Sequence, residues 1–472
     1  MSFTISLRRL PALVGAVGTL AASLSGCGGG SSNPVVTQTN NNRSACAANT
    51  AHADGRARWT VLIYMNAANN LQPDSLINIA QMASVGSDAN VNIVVQWKQT
   101  TASQINNAFG DDTPSFVGTR RYLIHKHTAT EVSKIQNNHD TSSLETTDRL
   151  ADPSTNALDT STGAQMSDMG NINTLTNFIQ WGTSAYPADN VAVLIWNHGS
   201  GWRPVYNSVG GASVHGLPKI NVPGRRAFSQ DDNTRNEIQT WQLPTAFAGL
   251  STPVDVLIFD ASLEQMMEVA YQNRNLARVQ VGSEESPPGS GYPYDKWLTD
   301  LKNSGKNPCD LSTSIVQEFV NLYSGQSGIT QSYLDLSKMD GVRAALEAFG
   351  VALLPHINNQ AAVIAAARTN AVHYGEGAAL YEGFLDLYGF ADNIAATTTQ
   401  ADMKTAANNL KAALVGPGGA ILQNGQGASD EANSHGLSVY IPAPGNYLSA
   451  YGSLALAADA PHWRLFIQSQ TQ

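Results

Sequence analysis

Cysteine is scarce in this sequence, with only three residues in a chain of 472. Zinc sites are usually built from clustered cysteines, or from histidines at short regular spacings such as His-Glu-x-x-His. Neither the three cysteines nor the ten histidines show such a spacing. The sequence therefore predicts no zinc site.

Basic residues are also fewer than acidic ones, with 27 lysines and arginines compared with 37 aspartates and glutamates. The formal net charge of −10 argues against nucleic acid as a partner, because phosphate binding requires a basic surface. With 42% hydrophobic and 14% charged residues, the composition is that of a folded globular protein, which excludes wholesale disorder.

An apolar stretch near the N-terminus indicates a targeting signal. Two arginines precede residues 10–24, which are mostly apolar but too few to span a bilayer comfortably. The stretch ends in Leu24-Ser25-Gly26-Cys27, which resembles the bacterial lipobox, where the cysteine is lipid-modified after cleavage. We expect residues 1–26 to be a lipoprotein signal peptide and Cys27 to carry a lipid that anchors the exported protein to the bacterial envelope. Simple secretion with cleavage nearby, or a retained anchor, is the alternative.

The next segment, residues 27–57, is rich in Gly, Ser, Asn and Thr and is predicted to be a flexible tether. Residues 58–472 show no linker composition and are predicted to form one large domain. If Cys27 carries lipid, Cys46 and Cys309 remain, and an oxidising compartment would allow them to pair. The sequence leaves open whether they come within bonding distance.

Apolar runs of strand length recur through this domain and alternate with amphipathic segments. The predicted strands are residues 59–65, 91–97, 191–196, 254–259 and 277–282, and the predicted helices are 71–84, 172–184, 239–247 and 263–273. Continuous Val, Ile and Leu runs indicate strands that are covered on both faces. The alternation predicts an α/β fold with a mostly parallel central sheet between helices, followed by a C-terminal extension of helices and strands.

Two of these strands end in residues that are suited to catalysis. Asn197-His198-Gly199 follows the strand at 191–196, and Asp260-Ala261-Ser262 follows the strand at 254–259. Ligands bind at the carboxyl ends of parallel strands, so we expect a dyad for acyl transfer with His198 as base and Ser262 as nucleophile. A helix starting directly after Ser262 would add a positive field and unpaired amides for an oxyanion.

Each of these residues also has a purely structural interpretation. Ser262 and Gln265 match the Ser-x-x-Gln pattern of a helix capping box. His198 could form a hydrogen bond within its turn, and Asp260 could accept hydrogen bonds from loop amides.

Seven segments resemble, in the same order, landmarks of the clostripain family of peptidases. They run from Trp59 to about Ile441 and read WTVLIYMNAANNL, VLIWNHGSGW, FSQDDN, LIFDASLEQMMEVAYQ, GSEESPPGSGYPYD, LDLYGFAD and HGLSVYIP. The resemblance implies a caspase-like fold and a His–Cys dyad that cleaves after Arg or Lys. It places the catalytic histidine at His198 and the acid that reads the basic P1 side chain at Asp260. It also implies that the backbone amides of Gly199 and Ser262 form the oxyanion hole.

The chain departs from the family at the nucleophile, because Ser262 stands where the resemblance implies cysteine. A thiol, with a pKa of about 8.5, supplies some thiolate near neutral pH, whereas a serine must lose its proton to the histidine during attack. Serine triads orient that histidine with a buried carboxylate, and the sequence identifies none. Three functions therefore stay open: a weak peptidase, a catalytically silent surface lipoprotein that binds basic peptides through Asp260, and a scaffolding envelope protein.

Three further candidates remain. Glu284 and Glu285 follow a predicted strand and are expected either to line the substrate cleft or to be solvated loop residues. Cys309 is disfavoured as the nucleophile, because no buried strand precedes it. Residues 231–233, Asp-Asp-Asn, offer oxygen ligands, and the resemblance makes Ca²⁺ a candidate cofactor, but three residues do not define a site.

Overall fold

A computed structural model of the chain describes residues 44–101, 114–150, 167–203, 228–375, 383–429 and 432–469. The predicted signal peptide and Cys27 lie outside these ranges.

The centre of the fold is a sheet of eight strands in the order β11-β9-β8-β7-β4-β1-β2-β3, and two smaller sheets pair β5 with β6 and β10 with β12. The strands are β1 (Ala57–Asn66), β2 (Val91–Gln99), β3 (Gly118–Leu123), β4 (Ala188–Trp196), β5 (Phe228–Asp231), β6 (Asn236–Ile238), β7 (Val254–Asp260), β8 (Ala277–Gly282), β9 (Thr330–Asp335), β10 (Phe384–Asp386), β11 (Ile421–Gln426) and β12 (Ser438–Tyr440). The five central strands, from β8 to β2, are mutually parallel. The three outer strands pair antiparallel, so the sheet is mixed.

Helices cover both faces of this sheet. They are α1 (Gln72–Val85), α2 (Ala129–Asn138), α3 (Ser142–Thr147), α4 (Ile172–Ala185), α5 (Leu243–Phe247), α6 (Met267–Asn273), α7 (Tyr294–Ser304), α8 (Pro308–Leu322), α9 (Met339–Leu353), α10 (Ala361–Asn370), α11 (Leu387–Thr397), α12 (Ala401–Leu414), α13 (Ala455–Asp459) and α14 (Pro461–Ser469). Alternate residues of β1 enter two different cores, with Val61 and Ile63 on one side and Leu62 and Tyr64 on the other. The predicted α/β fold with a doubly covered sheet is confirmed.

Residues 44–56 are mostly exposed but are attached to the body of the protein at several points, so this part of residues 27–57 is not a free tether. Ala45 is buried, and Cys46 forms a disulfide with Cys309, with 4.9 Å between the two Cα atoms. Arg278 Nη2 donates to the carbonyl oxygen of Ala47 at 2.6 Å, and Asn49 Nδ2 donates to Asp255 Oδ1 at 3.0 Å. Composition could not reveal this, because a polar segment is held by partners that are more than 200 residues away in sequence.

The disulfide closes a span of 263 residues. Disulfides typically stabilise proteins by about 2–4 kcal/mol, chiefly by restricting the unfolded chain. Cys309 is therefore a structural residue, and its alternative role as a nucleophile is wrong. Within the ranges that the structure covers, no helix has both the length and the apolar character that crossing a bilayer would require.

Candidate active site

A cleft of about 470 Å³ opens at the carboxyl ends of β4 and β7. These strands are adjacent and parallel, and their last residues, Trp196 and Asp260, are paired in register. The residues that line the cleft are 70–71, 196–198, 260–262, 285–289 and 326–329. The strand-end rule thus brings His198, Asp260 and Ser262 into one cavity, as predicted from the sequence.

The turn after His198 lies directly against the backbone of Ser262. A Cβ atom placed on Gly199 would lie only 2.2 Å from the Ser262 carbonyl oxygen and 2.9 Å from the Ser262 nitrogen. Real Cβ atoms essentially never approach other atoms more closely than 3.0 Å. Glycine is therefore required at position 199, and the predicted oxyanion residues Gly199 and Ser262 are neighbours in space.

Asn197 fixes the backbone that leads into this turn. Its buried side chain donates to the carbonyl oxygen of Gln230 at 3.0 Å and accepts from the Gln230 amide at 2.9 Å. The Asn197 amide also donates to the carbonyl oxygen of Asp260 at 3.2 Å. The two strand ends are thereby held together just before His198 and Ser262.

The imidazole of His198 is oriented by Asn70, a residue that the sequence reasoning missed. His198 Nε2 lies 2.7 Å from Asn70 Oδ1. An amide oxygen only accepts hydrogen bonds, so Nε2 carries the hydrogen and Nδ1 is left as the basic nitrogen. Papain-like proteases use an asparagine in the same capacity. One signal in the sequence marks Asn70, since it follows the carboxyl end of β1, which is a neighbour of β4.

Ser262 lies in a turn rather than at a helix start, so the predicted helix at 263–273 is wrong in its first four residues. Helix α6 begins at Met267, and the Gln265 amide donates to Ser283 at 3.1 Å instead of closing a capping box. Both the cap interpretation and the helix-field interpretation of Ser262 therefore fail. Leu263 has a φ of +65°, a strained value for a branched side chain, and produces the sharp bend that follows Ser262.

Glu264, a second residue that could not be found from the sequence, holds the turn after His198 in place. Its Oε1 atom accepts hydrogen bonds from the amides of Ser200 and Gly201, at 3.2 and 3.1 Å. Burial raises the pKa of Glu264 well above its usual range. This shift favours the neutral carboxyl, which holds the turn with less negative charge beside the predicted oxyanion amides than a carboxylate would. No local pattern in the sequence marks Glu264 for this position.

Asp260 lies at the floor of the cleft, where only 5% of the residue is exposed. Its Oδ2 atom accepts from the Tyr294 hydroxyl at 2.8 Å and from the Tyr292 amide at 3.3 Å. Burial raises the pKa of Asp260 to about 7, with a smaller contribution from the charge of Asp74. Gly291, which has a φ of +63°, passes so close that a Cβ atom there would lie 2.6 Å from Oδ2.

The two adjacent glutamates point to different parts of the protein. Glu285 lines the cleft, and its Oε2 atom accepts from the Gly375 amide at 2.9 Å. Glu284 does not line the cleft: it is buried and accepts from the Gly436 amide at 3.0 Å. Burial and the neighbouring Asp386 raise the pKa of Glu284 well above its usual range. The cleft-lining prediction is therefore wrong for Glu284, because its side chain is buried against the Gly436 amide while Glu285 lines the cleft.

Residues 231–233 do not fit a calcium site. The buried ammonium of Lys98 lies 2.7 Å from Asp231 Oδ2 and 3.3 Å from Asn233 Oδ1. This internal cation uses the oxygen atoms that a calcium ion would need. In the part of the chain that the structure describes, no group of three His, Cys, Asp or Glu side chains is arranged to hold a metal ion.

The sequence of this chain is similar to those of known proteins. The Clostripain family profile matches residues 63–453. Clostripain of Hathewaya histolytica is 24% identical over 485 aligned residues, which cover 92% of this chain and 84% of the relative.

Solved structures share the fold. The secreted C11 cysteine protease iotapain of Bacteroides thetaiotaomicron superposes with a TM-score of 0.55 and 15% identity, over 86% of this chain and 99% of that chain. A secreted C11 cysteine protease from the same organism, in complex with an irreversible peptide inhibitor, gives a TM-score of 0.53 and 17% identity with the same coverage. An inactive zymogen C11 protease from Parabacteroides distasonis superposes with a TM-score of 0.51 and 18% identity, over 86% of this chain and 98% of that chain. Because the family match extends over most of the sequence, this chain belongs to the clostripain family.

Proposed function

We propose that this protein is an endopeptidase that hydrolyses peptide bonds after arginine or lysine, with Ser262 as nucleophile and His198 as base. The proposal is carried by the cleft that His198 and Ser262 share, together with the 2.7 Å contact from His198 Nε2 to Asn70. This contact leaves Nδ1 as the proton acceptor, which is the state that a general base requires.

In the proposed mechanism, His198 Nδ1 takes the proton from Ser262 Oγ as Oγ attacks the carbonyl carbon of the scissile bond. The amides of Gly199 and Ser262 stabilise the oxyanion, and the imidazolium then passes its proton to the leaving amine. A water molecule, activated by the same imidazole, hydrolyses the acyl-enzyme and restores Ser262. Glu264 keeps the oxyanion turn in place through its hydrogen bonds from the amides of Ser200 and Gly201.

The proposed substrate is a peptide or protein with a basic P1 residue. Asp260 lies in the floor of the same cleft, two residues before Ser262, and Glu285 lies in its wall. Among the residues that the structure describes, Asp260 forms no ion pair. A P1 guanidinium or ammonium group would therefore supply the missing counter-charge.

We expect the native protein to hydrolyse a fluorogenic peptide with arginine at P1. We expect His198→Ala to lower kcat/KM by at least about 10²-fold, because general-base catalysis contributes on this scale. The matched control is His356→Ala, since His356 pairs with Asp402 on a helix outside the cleft. Equal activity of His198→Ala and the native protein would refute the dyad.

A second candidate function is a catalytically silent protein that binds basic peptides. The observation that favours it is the serine at position 262 in a family of cysteine peptidases. In this case the native protein binds arginine peptides through Asp260 but shows no turnover. Hydrolysis that disappears in Ser262→Ala would exclude this alternative.

We also propose that the protein is exported and anchored by a lipid on Cys27. The sequence Leu24-Ser25-Gly26-Cys27 supports this, and so does the Cys46–Cys309 disulfide, which is typical of oxidising compartments. Two of the similar C11 proteases are described as secreted. When the full chain is expressed in a bacterium, we expect it to partition into the detergent phase of a Triton X-114 extract and Cys27→Ser to move to the aqueous phase. Unchanged partitioning of the variant would refute the lipid anchor.

A further inference from the structure

Three buried asparagines donate to a single backbone carbonyl group beside the cleft. The carbonyl oxygen of Gln230 accepts, at 3.1, 3.0 and 3.0 Å, from the side-chain amides of Asn66, Asn69 and Asn197. Asn66 is the last residue of β1, and Asn197 follows β4, which is paired with β1 in the sheet. The Gln230 carbonyl therefore joins the carboxyl ends of two neighbouring strands.

The position of Gln230 is itself fixed from both sides. Ser229, directly before it, is buried and has a φ of +55°, a strained value that persists only where the surroundings hold it. Asp231, directly after it, accepts from the buried ammonium of Lys98 at 2.7 Å. The three asparagines are thus attached to a backbone segment that is held in place independently of them.

Asn69 forms hydrogen bonds on both sides of Asn70. Its Oδ1 atom accepts from the Leu71 amide at 2.9 Å, which closes a tight turn around Asn70, and its Nδ2 atom donates to the Gln230 carbonyl. Within this turn, Asn70 Oδ1 lies 2.7 Å from His198 Nε2. The backbone of Asn70 is therefore held by Asn69, while the side chain of Asn70 holds the imidazole.

We infer that Asn69 is a positioning residue for the proposed base: by fixing the turn around Asn70 against the Gln230 carbonyl, it keeps His198 in the tautomer with its hydrogen on Nε2. This inference rests on the proposed function, because it concerns the residue that is assigned as base. Asn69 is buried and does not line the cleft, so it acts through Asn70 and touches no substrate.

Removing the side chain of Asn69 should leave the fold intact. A carbonyl oxygen has two lone pairs, and Asn66 and Asn197 still donate to the Gln230 oxygen when Asn69 is replaced. The Leu71 amide loses its acceptor, but Leu71 is half-buried and lines the cleft, where water can take the place of the lost oxygen. The change therefore releases the turn around Asn70 and little else.

The first experiment observes the imidazole directly and does not require turnover. Histidine in the full chain is labelled with ¹⁵N, and two-bond ¹⁵N–¹H correlation spectra at mildly alkaline pH show which ring nitrogen carries the hydrogen. The spectrum of His198→Ala identifies the signals of His198. In the native protein we expect the hydrogen on Nε2, because Asn70 Oδ1 accepts from that nitrogen.

We expect Asn69→Ala to lose this preference for Nε2, as Asn70→Ala does. Asn171→Ala is the matched control, because Asn171 Oδ1 also accepts from the amide two residues later, at 2.9 Å, but at the start of α4 and outside the cleft. It should leave the His198 signals unchanged. Asn69→Ser, whose hydroxyl forms the same turn more weakly, should keep part of the preference, and it carries the test if Asn69→Ala lowers the unfolding temperature more than the control does.

A double-mutant cycle supplies the second readout. In the Ser262→Cys background, we expect Asn69→Ala and Asn70→Ala each to lower kcat for the arginine peptide by about 10²-fold, the cost of misplacing a reacting group by about 1 Å. For Asn69→Ala, KM should stay the same. Residues that act as one unit are not additive, so the double variant should be no slower than Asn70→Ala alone, whereas independent effects would multiply to about 10⁴-fold.

The outcomes separate the inference from the proposed function. If the Ser262→Cys background hydrolyses no peptide while Asn69→Ala changes the His198 signals, the peptidase proposal fails and the positioning role stands. If Asn69→Ala and Asn69→Ser both leave the His198 signals as in the native protein, or if the two effects on kcat multiply, the role of Asn69 is overturned. Loss of the Nε2 preference in Asn69→Ala and Asn70→Ala, with Asn171→Ala unaffected, supports it.

Discussion

Replacing Ser262 by cysteine is expected to raise kcat/KM for a peptide with arginine at P1 by about 10²- to 10⁴-fold. The reason is the group that orients His198, which is the amide of Asn70 rather than a carboxylate. Serine attack benefits from a buried carboxylate that stabilises the imidazolium, and changing that carboxylate to an amide in a serine protease costs about 10⁴ in rate. A thiol depends on it less, because its pKa of about 8.5 falls further beside a protonated histidine.

Three variants isolate the cause of this gain. Ser262→Ala should be inactive, Ser262→Cys combined with His198→Ala should lose the gain, and Ser262→Cys should react with iodoacetamide faster than an ordinary thiol at pH 6.5. Single-turnover and steady-state rates with the same fluorogenic peptide provide the measurement. If the thiol variant binds arginine peptides normally but is no faster than the native protein, the cleft is not organised for acyl transfer.

Gly199→Ala is expected to remove most of this activity while leaving the fold intact. The added methyl group would lie 2.2 Å from the Ser262 carbonyl oxygen and 2.8 Å from Glu264 Oε1, so the His198 turn must move away from Ser262. A displacement of about 1 Å between reacting groups costs about 10² in rate, and the loss of the oxyanion amide adds to this. We therefore expect kcat/KM of the Ser262→Cys variant to fall by at least about 10³-fold.

The matched control for this change is Gly341→Ala. Gly341 lies near the start of α9, and a Cβ atom placed there meets nothing within 4 Å. We expect this control to keep full activity and to gain about 0.5–1 kcal/mol in the free energy of unfolding, since alanine is the better helix former. Urea denaturation of both variants distinguishes a local displacement from unfolding. A Gly199→Ala protein that keeps its rate would show that the contact with Ser262 is irrelevant to catalysis.

The central sheet could be predicted from the sequence because its strands are buried on both faces. Val61 and Leu62 enter different cores, so the run at 59–65 is apolar except for Thr60, and its bounds fall close to those of β1. Strand β3 shows the opposite case. It is one of the two edge strands of the sheet, its sequence GTRRYL includes two arginines, and no apolar run marks it. The direction of each strand could not be predicted either, because the sequence does not reveal that the outer strands pair antiparallel.

Only those site residues that lie at or directly after the ends of buried strands could be predicted from the sequence. His198, Asp260 and Ser262 follow buried strands, and the structure brings them to one cleft. The local pattern Ser262-x-x-Gln265 suggested a helix cap, but Gln265 binds Ser283 and Ser332 in the core instead, so tertiary contacts override the local preference.

The residues that were missed act through contacts that are distant in sequence. Asn70 reaches His198 across 128 positions, and Glu264 reaches Ser200 across 64. No spacing along the chain encodes such pairs, and short-range patterns therefore cannot find them.

The attached N-terminal segment also determines at which end of the sheet the upstream chain joins the body. Asn49 and His52 hold Asp255 and Asp189, which lie at the amino ends of β7 and β4, whereas the cleft lies at the carboxyl ends of the same strands. A strand of nine residues such as β4 is about 30 Å long. The chain at Ser44 therefore joins the body at the amino ends of these strands, whereas the cleft lies at their carboxyl ends. Tension on the chain before Ser44 would pass into the body through the covalent Cys46–Cys309 bond, so the hydrogen bonds of Asn49 and His52 need not resist it.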